Sequence, residues 1–192
     1  MTELLPLVFS SGWASGVNAY ATVLLLGLLG RFAGVDAVPA GLERTDVLLA
    51  AAVLYAIEFV ADKIPYVDST WDAVHTVIRP AIGTVIGLLV AGDAASLDQA
   101  VLAATGGVTA LVSHLVKAGL RLAVNTSPEP ASNIGVSLVE DFSVAGVVAV
   151  AVSAPWVAAG IAAALLVTGI ALVVLLAKRI RRARARWRAR RA

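Results

Sequence analysis

Long apolar stretches separated by short polar segments make up most of the chain. The predicted spans are 17–32, 46–62, 69–90, 99–124, 127–153 and 157–177. Each is close to the roughly 20 residues with which a helix crosses a bilayer. Residues 1–16 are expected to form a half-helix, an interfacial helix or part of the first span, because Ser10, Ser11, Gly12 and Gly16 interrupt the apolar run. The pattern predicts an all-α polytopic transmembrane helix bundle of about six spans.

Local signals mark the third span. Ser69 and Asp72 have the spacing of a capping box, in which a hydroxyl and a carboxylate bind the free amides of a helix start. We therefore expect this helix to begin at Ser69. Pro80 lies about ten residues further on, roughly 15 Å along the axis, and is expected to kink the helix near the middle of the bilayer.

The fourth and fifth spans carry weaker signals. The pair Gly106-Gly107 predicts either a helix break or a close contact between helices. Ser127 and Pro128 have the residue types of an N-cap and a first helical position. These signals predict helix ends and a helix contact, but they indicate no functional residues.

Ionisable side chains are the main anomaly, because they lie where an apolar span can least easily hold charge. A charge at the bilayer centre costs about 2.5–3.5 kcal/mol on the insertion scale, so such groups must pair with one another or line water. Residues three, four and seven apart share a helix face, and the polar residues follow this spacing. The candidate pathway residues are Asn18, Glu58, Asp62, Asp72, His75, Arg79, His114, Lys117, Arg121, Glu140 and Asp141.

The signs of the charges predict partners. Glu58 or Asp62 is expected to pair with one of the bases of the fourth span, which are Lys117 and Arg121. Arg79 is expected to pair with Glu140 or Asp141. The hairpins 58–80 and 114–143 have similar layouts with these signs exchanged, so a parallel repeat of two helical hairpins is one alternative for the architecture.

Composition places the chain in the membrane class, with 59% hydrophobic residues, 15% charged residues and a mean hydropathy of +0.89. Nine of the fifteen Lys and Arg lie in the tail 178–192, which leaves six bases against thirteen acids in residues 1–177. We therefore divide the chain into a transmembrane domain, 1–177, and a basic cytoplasmic tail, 178–192. We expect the chain to cross the bacterial plasma (inner) membrane several times. Its basic tail predicts that the carboxyl terminus is cytoplasmic.

The partners expected from composition are the lipid bilayer and, at the tail, anionic lipid headgroups. Nucleic acid is an unlikely partner, since orientation by positive charge accounts for the tail. A homo-oligomer is left open. No cysteine is present, the two histidines leave little for a metal site, and no catalytic or nucleotide-binding motif occurs. We therefore expect no metal, no cofactor, no catalytic residues and no enzymatic activity.

Two functional interpretations remain. The first is a channel or secondary transporter for a small ion or solute, with a charged intramembrane site. The second is a non-transporting scaffold or lipid-binding protein whose buried charges are structural locks. An intramembrane enzyme for a lipid-linked substrate is a weaker third interpretation, because two carboxylates and an imidazole at unknown separation are poor evidence of an active site.

Three motifs, GVNAY, DKIPYVDSTWDAVHTVIRP and NTSPEPASN, stand out from the apolar background. On these motifs the chain resembles a family of small bacterial integral membrane proteins catalogued as a domain of unknown function. The resemblance covers most of residues 10–150 and leaves the arginine tail outside. It implies a multi-span bacterial inner-membrane protein, with no activity and no catalytic residues to transfer to this sequence.

Overall fold

The computed structural model describes residues 4–64, 66–125 and 130–189, without the side chains of residues 130, 183–185 and 187–189. The helices are α1 (Leu4–Val17), α2 (Ala19–Ala33), α3 (Thr45–Ala61), α4 (Val67–Ala91), α5 (Ser96–Val124), α6 (Pro130–Ser153) and α7 (Pro155–Ala189). A short 3₁₀ helix, Ala40–Leu42, connects α2 to α3. These ranges contain no strand. The predicted all-α bundle is confirmed.

Within the described residues, four helices are long and apolar enough to cross a membrane: α4, α5, residues Ala131–Ser153 of α6 and residues Pro155–Arg182 of α7. The two shorter apolar helices are α1 and α2. Apolar side chains also cover the outer surface, as Val77 and Phe142 show with exposed fractions of 75% each. Because water would solvate such a surface poorly, the bundle contacts lipid as a multi-pass membrane protein.

The first helix forms the centre of the bundle. Eleven of the 14 residues of α1 are buried, including three serines, Ser10, Ser11 and Ser15. It packs against α4, α5, α6 and α7. Ser10 donates to the carbonyl of Pro6, and Ser15 donates across to the carbonyl of Arg79 at 3.1 Å. A helix surrounded by others has no side that faces water, which explains why α1 contains no charged residue.

Glycines bring α1, α4 and α5 into backbone contact. A Cβ atom on Gly12 would lie 2.7 Å from the carbonyl oxygen of Gly106, and one on Gly83 would lie 2.6 Å from the same oxygen. Small residues allow such close helix packing in membranes. α5 continues unbroken through Gly106 and Gly107, so the glycine pair makes a helix contact and no break.

The structure corrects the predicted ends of two helices. α1 runs through Ser10, Gly12 and Gly16 without interruption, and the chain breaks at Asn18 instead. Ser10 and Ser15 donate to carbonyl oxygens, and the glycines make close contacts with α5, so these residues do not end the helix.

The capping box predicted at Ser69 does not form. α4 begins at Val67, after Tyr66 turns the chain with a φ of 71°, and it has no side-chain cap. Asp72 lies beside Arg79 and not at a helix start. α4 is a continuous helix through Pro80. Ser127 and Pro128, the predicted start of the fifth span, lie outside the described residues. The parallel repeat of two helical hairpins stays a prediction.

Candidate functional site

The break between α1 and α2 organises the site. Asn18 is extended, with φ −149° and ψ 100°, and its side-chain Oδ1 accepts a hydrogen bond from the backbone N–H of Ala21 at 2.9 Å. This is an N-cap, which satisfies one free amide at the start of α2. A helix of 14 residues spans about 21 Å, less than the roughly 30 Å of hydrocarbon in a bilayer. Gly16 and Val17, at the carboxyl end of α1, are buried inside the bundle.

Replacing Asn18 with alanine is expected to lower the free energy of unfolding by about 1 kcal/mol, because α2 loses its cap. Asn18→Ser retains an oxygen at the capping position and should recover most of that loss. Titration of the purified protein with denaturing detergent in mixed micelles measures both. Equal losses in the two variants would show that the cap contributes nothing.

Two cationic side chains donate to carbonyl oxygens at the carboxyl end of α1. Lys117 Nζ donates to the carbonyl of Val17 at 3.0 Å, and Arg79 Nη1 donates to the carbonyl of Gly16 at 3.3 Å. The last carbonyls of a helix have no partner within it and carry partial negative charge, so a cation is favourable there. α4 and α5 thus each supply one cation to the broken end.

Lys117 is also surrounded by carboxylates. Its ammonium lies 2.6 Å from Asp62 Oδ2, 3.6 Å from Glu140 Oε2 and 3.8 Å from Glu58 Oε1, with 2% of the side chain exposed. Glu58 lies on α3, Asp62 directly follows α3, and Glu140 lies on α6. Three carboxylates thus surround one ammonium group. This density of charge offsets the cost of removing the ammonium from water.

Arg79 joins α4 to α3. Its Nη2 donates to Glu58 Oε1 at 2.6 Å, and its Nη1 lies 3.1 Å from Asp72 Oδ1. The guanidinium has no exposed surface. Both Asp72 oxygens lack a well-aligned hydrogen-bond donor in the described part of the chain, which leaves this carboxylate with unused acceptor capacity.

Arg121, on α5, forms hydrogen bonds with the turn after α3 and with α6. Its Nη1 donates to the carbonyl of Asp62 at 2.6 Å and to Asn133 Oδ1 at 2.9 Å. Its Nη2 donates to Glu140 Oε2, and its Nε donates to Glu140 Oε1 at 3.2 Å, a two-pronged contact that suits a planar guanidinium. Asp68 Oδ2 lies 3.7 Å from Nη1.

A weaker pair lies beside the break. Lys63 Nζ is 3.8 Å from Asp141 Oδ2, and it donates to the carbonyl of Phe59 at 2.9 Å. Asp141 Oδ1 accepts from Asn18 Nδ2 at 3.2 Å. The start of α2 is thereby connected to α6.

Eight of these ionisable residues form one connected network, and the pair Lys63–Asp141 lies beside it; we name the two together the charged centre. Its ten members are Glu58, Asp62, Lys63, Asp68, Asp72, Arg79, Lys117, Arg121, Glu140 and Asp141. In the described part of the chain, six carboxylates meet four cationic groups, so these members have a net charge of −2 when every one is ionised. Two monovalent cations, two protons or one divalent cation would balance this surplus.

His75 uses both ring nitrogens. Nδ1 lies 2.7 Å from the carbonyl of Trp71, which can only accept, so Nδ1 carries the hydrogen. Nε2 lies 3.0 Å from Tyr20 Oη and accepts from it. This arrangement corresponds to a neutral imidazole that connects α4 to α2.

His114 has the opposite tautomer. Nδ1 lies 2.8 Å from Arg79 Nη1, which can only donate, so Nδ1 accepts. Nε2 then carries the hydrogen and donates to Thr76 Oγ1 at 3.1 Å. A neutral imidazole beside a guanidinium adds no positive charge to the centre.

The structure brings together all eleven residues named from the sequence, but it corrects one predicted pairing. Lys117 and Arg121 pair with Asp62 as expected. Arg79 does not pair with Glu140 or Asp141. α1 packs against both α4 and α6, and Arg79 turns toward α3 while Glu140 contacts α5.

Sequence reasoning missed three contributors, all in or beside the polar turns. Asp68 is fully buried, and Asn125 Nδ2 donates to its two oxygens at 2.9 and 3.0 Å. Lys63 is the third. Helical spacing could have revealed two of them, because Asp68 lies four residues before Asp72 and Asn125 lies four residues after Arg121.

Comparison with known proteins identifies the family of this chain. A family model described as Domain of unknown function (DUF4126) matches residues 5–175, which include all of the charged centre. The chain belongs to the DUF4126 family. The match ends before the basic tail. No curated protein and no solved structure matches this DUF4126 member.

Proposed function

We propose that the protein is a secondary transporter or channel for a small ion or solute, which passes through the charged centre. One observation carries the proposal: a membrane helix breaks at Asn18, and its end carbonyls face buried ionisable groups. Discontinuous helices place their half-helix ends at the binding sites of secondary transporters, near the middle of the bilayer. The break therefore favours a site at which an ion or solute interacts.

The net negative charge of the charged centre favours a cation as the transported substrate. A purely structural network gains nothing from two surplus carboxylates, since each unbalanced buried charge costs free energy. One oxygen each of Glu58, Asp62 and Asp141, and both oxygens of Asp72, lack a well-aligned hydrogen-bond donor in the described part of the chain. Such oxygens are suitable acceptors for a proton or a monovalent cation.

Cavities reach the centre from two sides. One cavity of about 270 Å³ lies between α4 and α5 and is lined by Ser69, Asp72 and Thr76, among others. Another of about 250 Å³ lies between α1, α5, α6 and α7 and contacts Lys117 and Glu140. A structural lock needs no such access, so the two cavities favour transport over the scaffold interpretation.

The proposal includes a location and an orientation. The basic tail favours a cytoplasmic carboxyl terminus in a bacterial plasma membrane, since Lys and Arg next to a span stay on the cytoplasmic side. α7 continues to Ala189 and so extends the helix into this tail. Contact of the tail with anionic headgroups, assembly into a homo-oligomer and the absence of enzymatic activity are further parts of the proposal.

Purified protein in liposomes should conduct or exchange monovalent cations or protons, measured with dyes sensitive to pH and to Na⁺ or K⁺. Asp72→Asn and Glu140→Gln should change the flux about tenfold or more, because a charge-assisted contact contributes about 1.5–3 kcal/mol. Asp93→Asn, an exposed carboxylate in the α4–α5 loop, is the matched control and should leave the flux unchanged.

Flux that is absent for all tested cations, with folded protein, would contradict the proposal and favour the structural lock. Equal effects of Asp72→Asn and Asp93→Asn would also contradict it. In that case the flux would not pass through the charged centre.

A further inference from the structure

The cavity between α1, α5, α6 and α7 has the composition of a binding site for an amphipathic ligand. It has a volume of about 250 Å³, and apolar side chains form most of its wall, among them Trp13, Val116, Leu120 and Leu166. Small-molecule sites are concave and mostly apolar, with a few polar groups that fix orientation. Here the charged polar groups are Lys117 and Glu140.

Of these two charges, the carboxylate is the one more accessible to a ligand: Arg121 donates to both Glu140 oxygens, and each of them keeps a second lone pair that can accept. The Glu140 side chain is 14% exposed, whereas that of Lys117 is 2% exposed. Lys117 already contacts Asp62 at 2.6 Å and donates to the carbonyl of Val17 at 3.0 Å. The charged centre also has surplus negative charge, so the cavity favours a positive ligand over a negative one.

The mouth of the cavity opens among lipid-exposed side chains. Val139 on α6 is 66% exposed, and Leu165 and Leu172 on α7 are 38% and 46% exposed. A ligand that partitions into the bilayer therefore reaches the cavity sideways, between α6 and α7. It would place its apolar part against leucines and its charge toward Glu140.

We infer that this cavity binds an organic cation with a short apolar chain, such as a protonated alkylamine, with the ammonium at Glu140. The inference rests on the proposed function and names its substrate class. A water molecule occupies about 30 Å³, so the cavity holds about eight groups of that size. An alkylammonium of seven or eight non-hydrogen atoms matches this volume.

Binding of n-hexylammonium to the full chain in nanodiscs tests the inference, with n-hexanol and hexanoate as probes of similar size. Equilibrium dialysis against empty nanodiscs corrects for partitioning into lipid. We expect n-hexylammonium to bind at least about tenfold more tightly than n-hexanol, a difference of about 1.4 kcal/mol, and hexanoate to bind more weakly than both. Equal affinities for the three probes, or preference for hexanoate, would overturn the inference.

Variants localise the binding. Ser143→Trp fills the cavity from α6 and should weaken n-hexylammonium binding about tenfold or more. Ser153→Trp makes the same change at the end of the same helix, outside the cavity lining, and should bind like the original protein. Thermal unfolding confirms that both variants are folded. If both bind equally well, the ligand lies elsewhere and the inference is wrong.

Glu140→Gln tests the role of the carboxylate. This variant should lose the preference for n-hexylammonium over n-hexanol while it still binds n-hexanol, because the apolar wall is unchanged. Retained preference would overturn the assignment of Glu140.

The binding and flux results separate the inference from the proposed function. Tight n-hexylammonium binding without any flux supports the binding site and contradicts transport. Flux of inorganic cations without n-hexylammonium binding supports transport and overturns the inferred substrate class.

Discussion

Gly106→Ala is expected to lower the free energy of unfolding by about 3 kcal/mol, the upper part of the range for overpacking. A Cβ atom at this position would lie 3.0 Å from the carbonyl carbon of Gly83 and closer still to its oxygen, and 3.3 Å from Val8. Backbone atoms cannot rotate away as a flexible side chain can, so α4 and α5 must separate. Detergent titration of the purified protein measures the loss.

Two glycines that have open space around them supply the control. A Cβ atom on Gly146 or Gly160 would meet no atom within 4 Å in the described part of the chain. Alanine there should change the free energy of unfolding by no more than about 1 kcal/mol, the intrinsic difference in helix propensity. A loss at Gly106 no larger than at Gly160 would contradict the close contact of α4 with α5.

Lys117→Met is expected to destabilise the protein by about 3–5 kcal/mol, the cost of breaking a buried ion pair from one side. Methionine keeps a similar length but leaves Asp62 and the carbonyl of Val17 without the ammonium that contacts them at 2.6 and 3.0 Å. The centre would then also contain one more unbalanced negative charge. The same detergent titration measures the effect.

Lys63→Met is the matched control. The Lys63 side chain is 19% exposed and its only carboxylate contact in the described part of the chain, with Asp141, is 3.8 Å long. Replacing Lys63 should lower the free energy of unfolding by about 1 kcal/mol or less, as for weakly held ion pairs. Similar losses at Lys63 and Lys117 would contradict the central place of Lys117 in the network.

A double-mutant cycle measures the coupling between Lys117 and Asp62. Lys117→Met combined with Asp62→Asn should cost clearly less than the sum of the single changes, because the second change removes a charge that the first left unbalanced. Additive losses would mean that the two groups do not interact despite their 2.6 Å separation.

Much of the candidate site could be predicted from residue type and spacing. Charge is so costly in hydrocarbon that Glu58, Asp62, Arg79 and Lys117 had to have partners, and helical spacing put them on shared faces. Opposite signs predicted that Glu58 or Asp62 pairs with Lys117 or Arg121, and the structure shows Lys117 with Asp62. The partner of Arg79 did not follow, because sign alone does not distinguish Glu58 from Glu140.

The break at Asn18 shows the limit of local signals. Ser10, Gly12 and Gly16 favour an interruption in an isolated apolar segment. In the bundle, Gly12 and Gly16 are positions of close backbone contact with α5, and the helix continues through them. The chain breaks one residue after Val17, where Lys117 and Arg79 supply donors for the freed carbonyls.

By itself the sequence determined that the protein is helical, lies in a membrane and must bury a set of paired charges. These properties follow from free energies of transfer and from helical periodicity, which depend on each residue and its near neighbours. Only the tertiary structure decided that α1 lies at the centre, that its end lies among the charges, and which carboxylate meets which cation. Those outcomes depend on contacts between different helices, from Arg121 with Glu140, 19 positions apart, to Lys117 with Asp62, 55 positions apart, and Asn18 with Asp141, 123 positions apart.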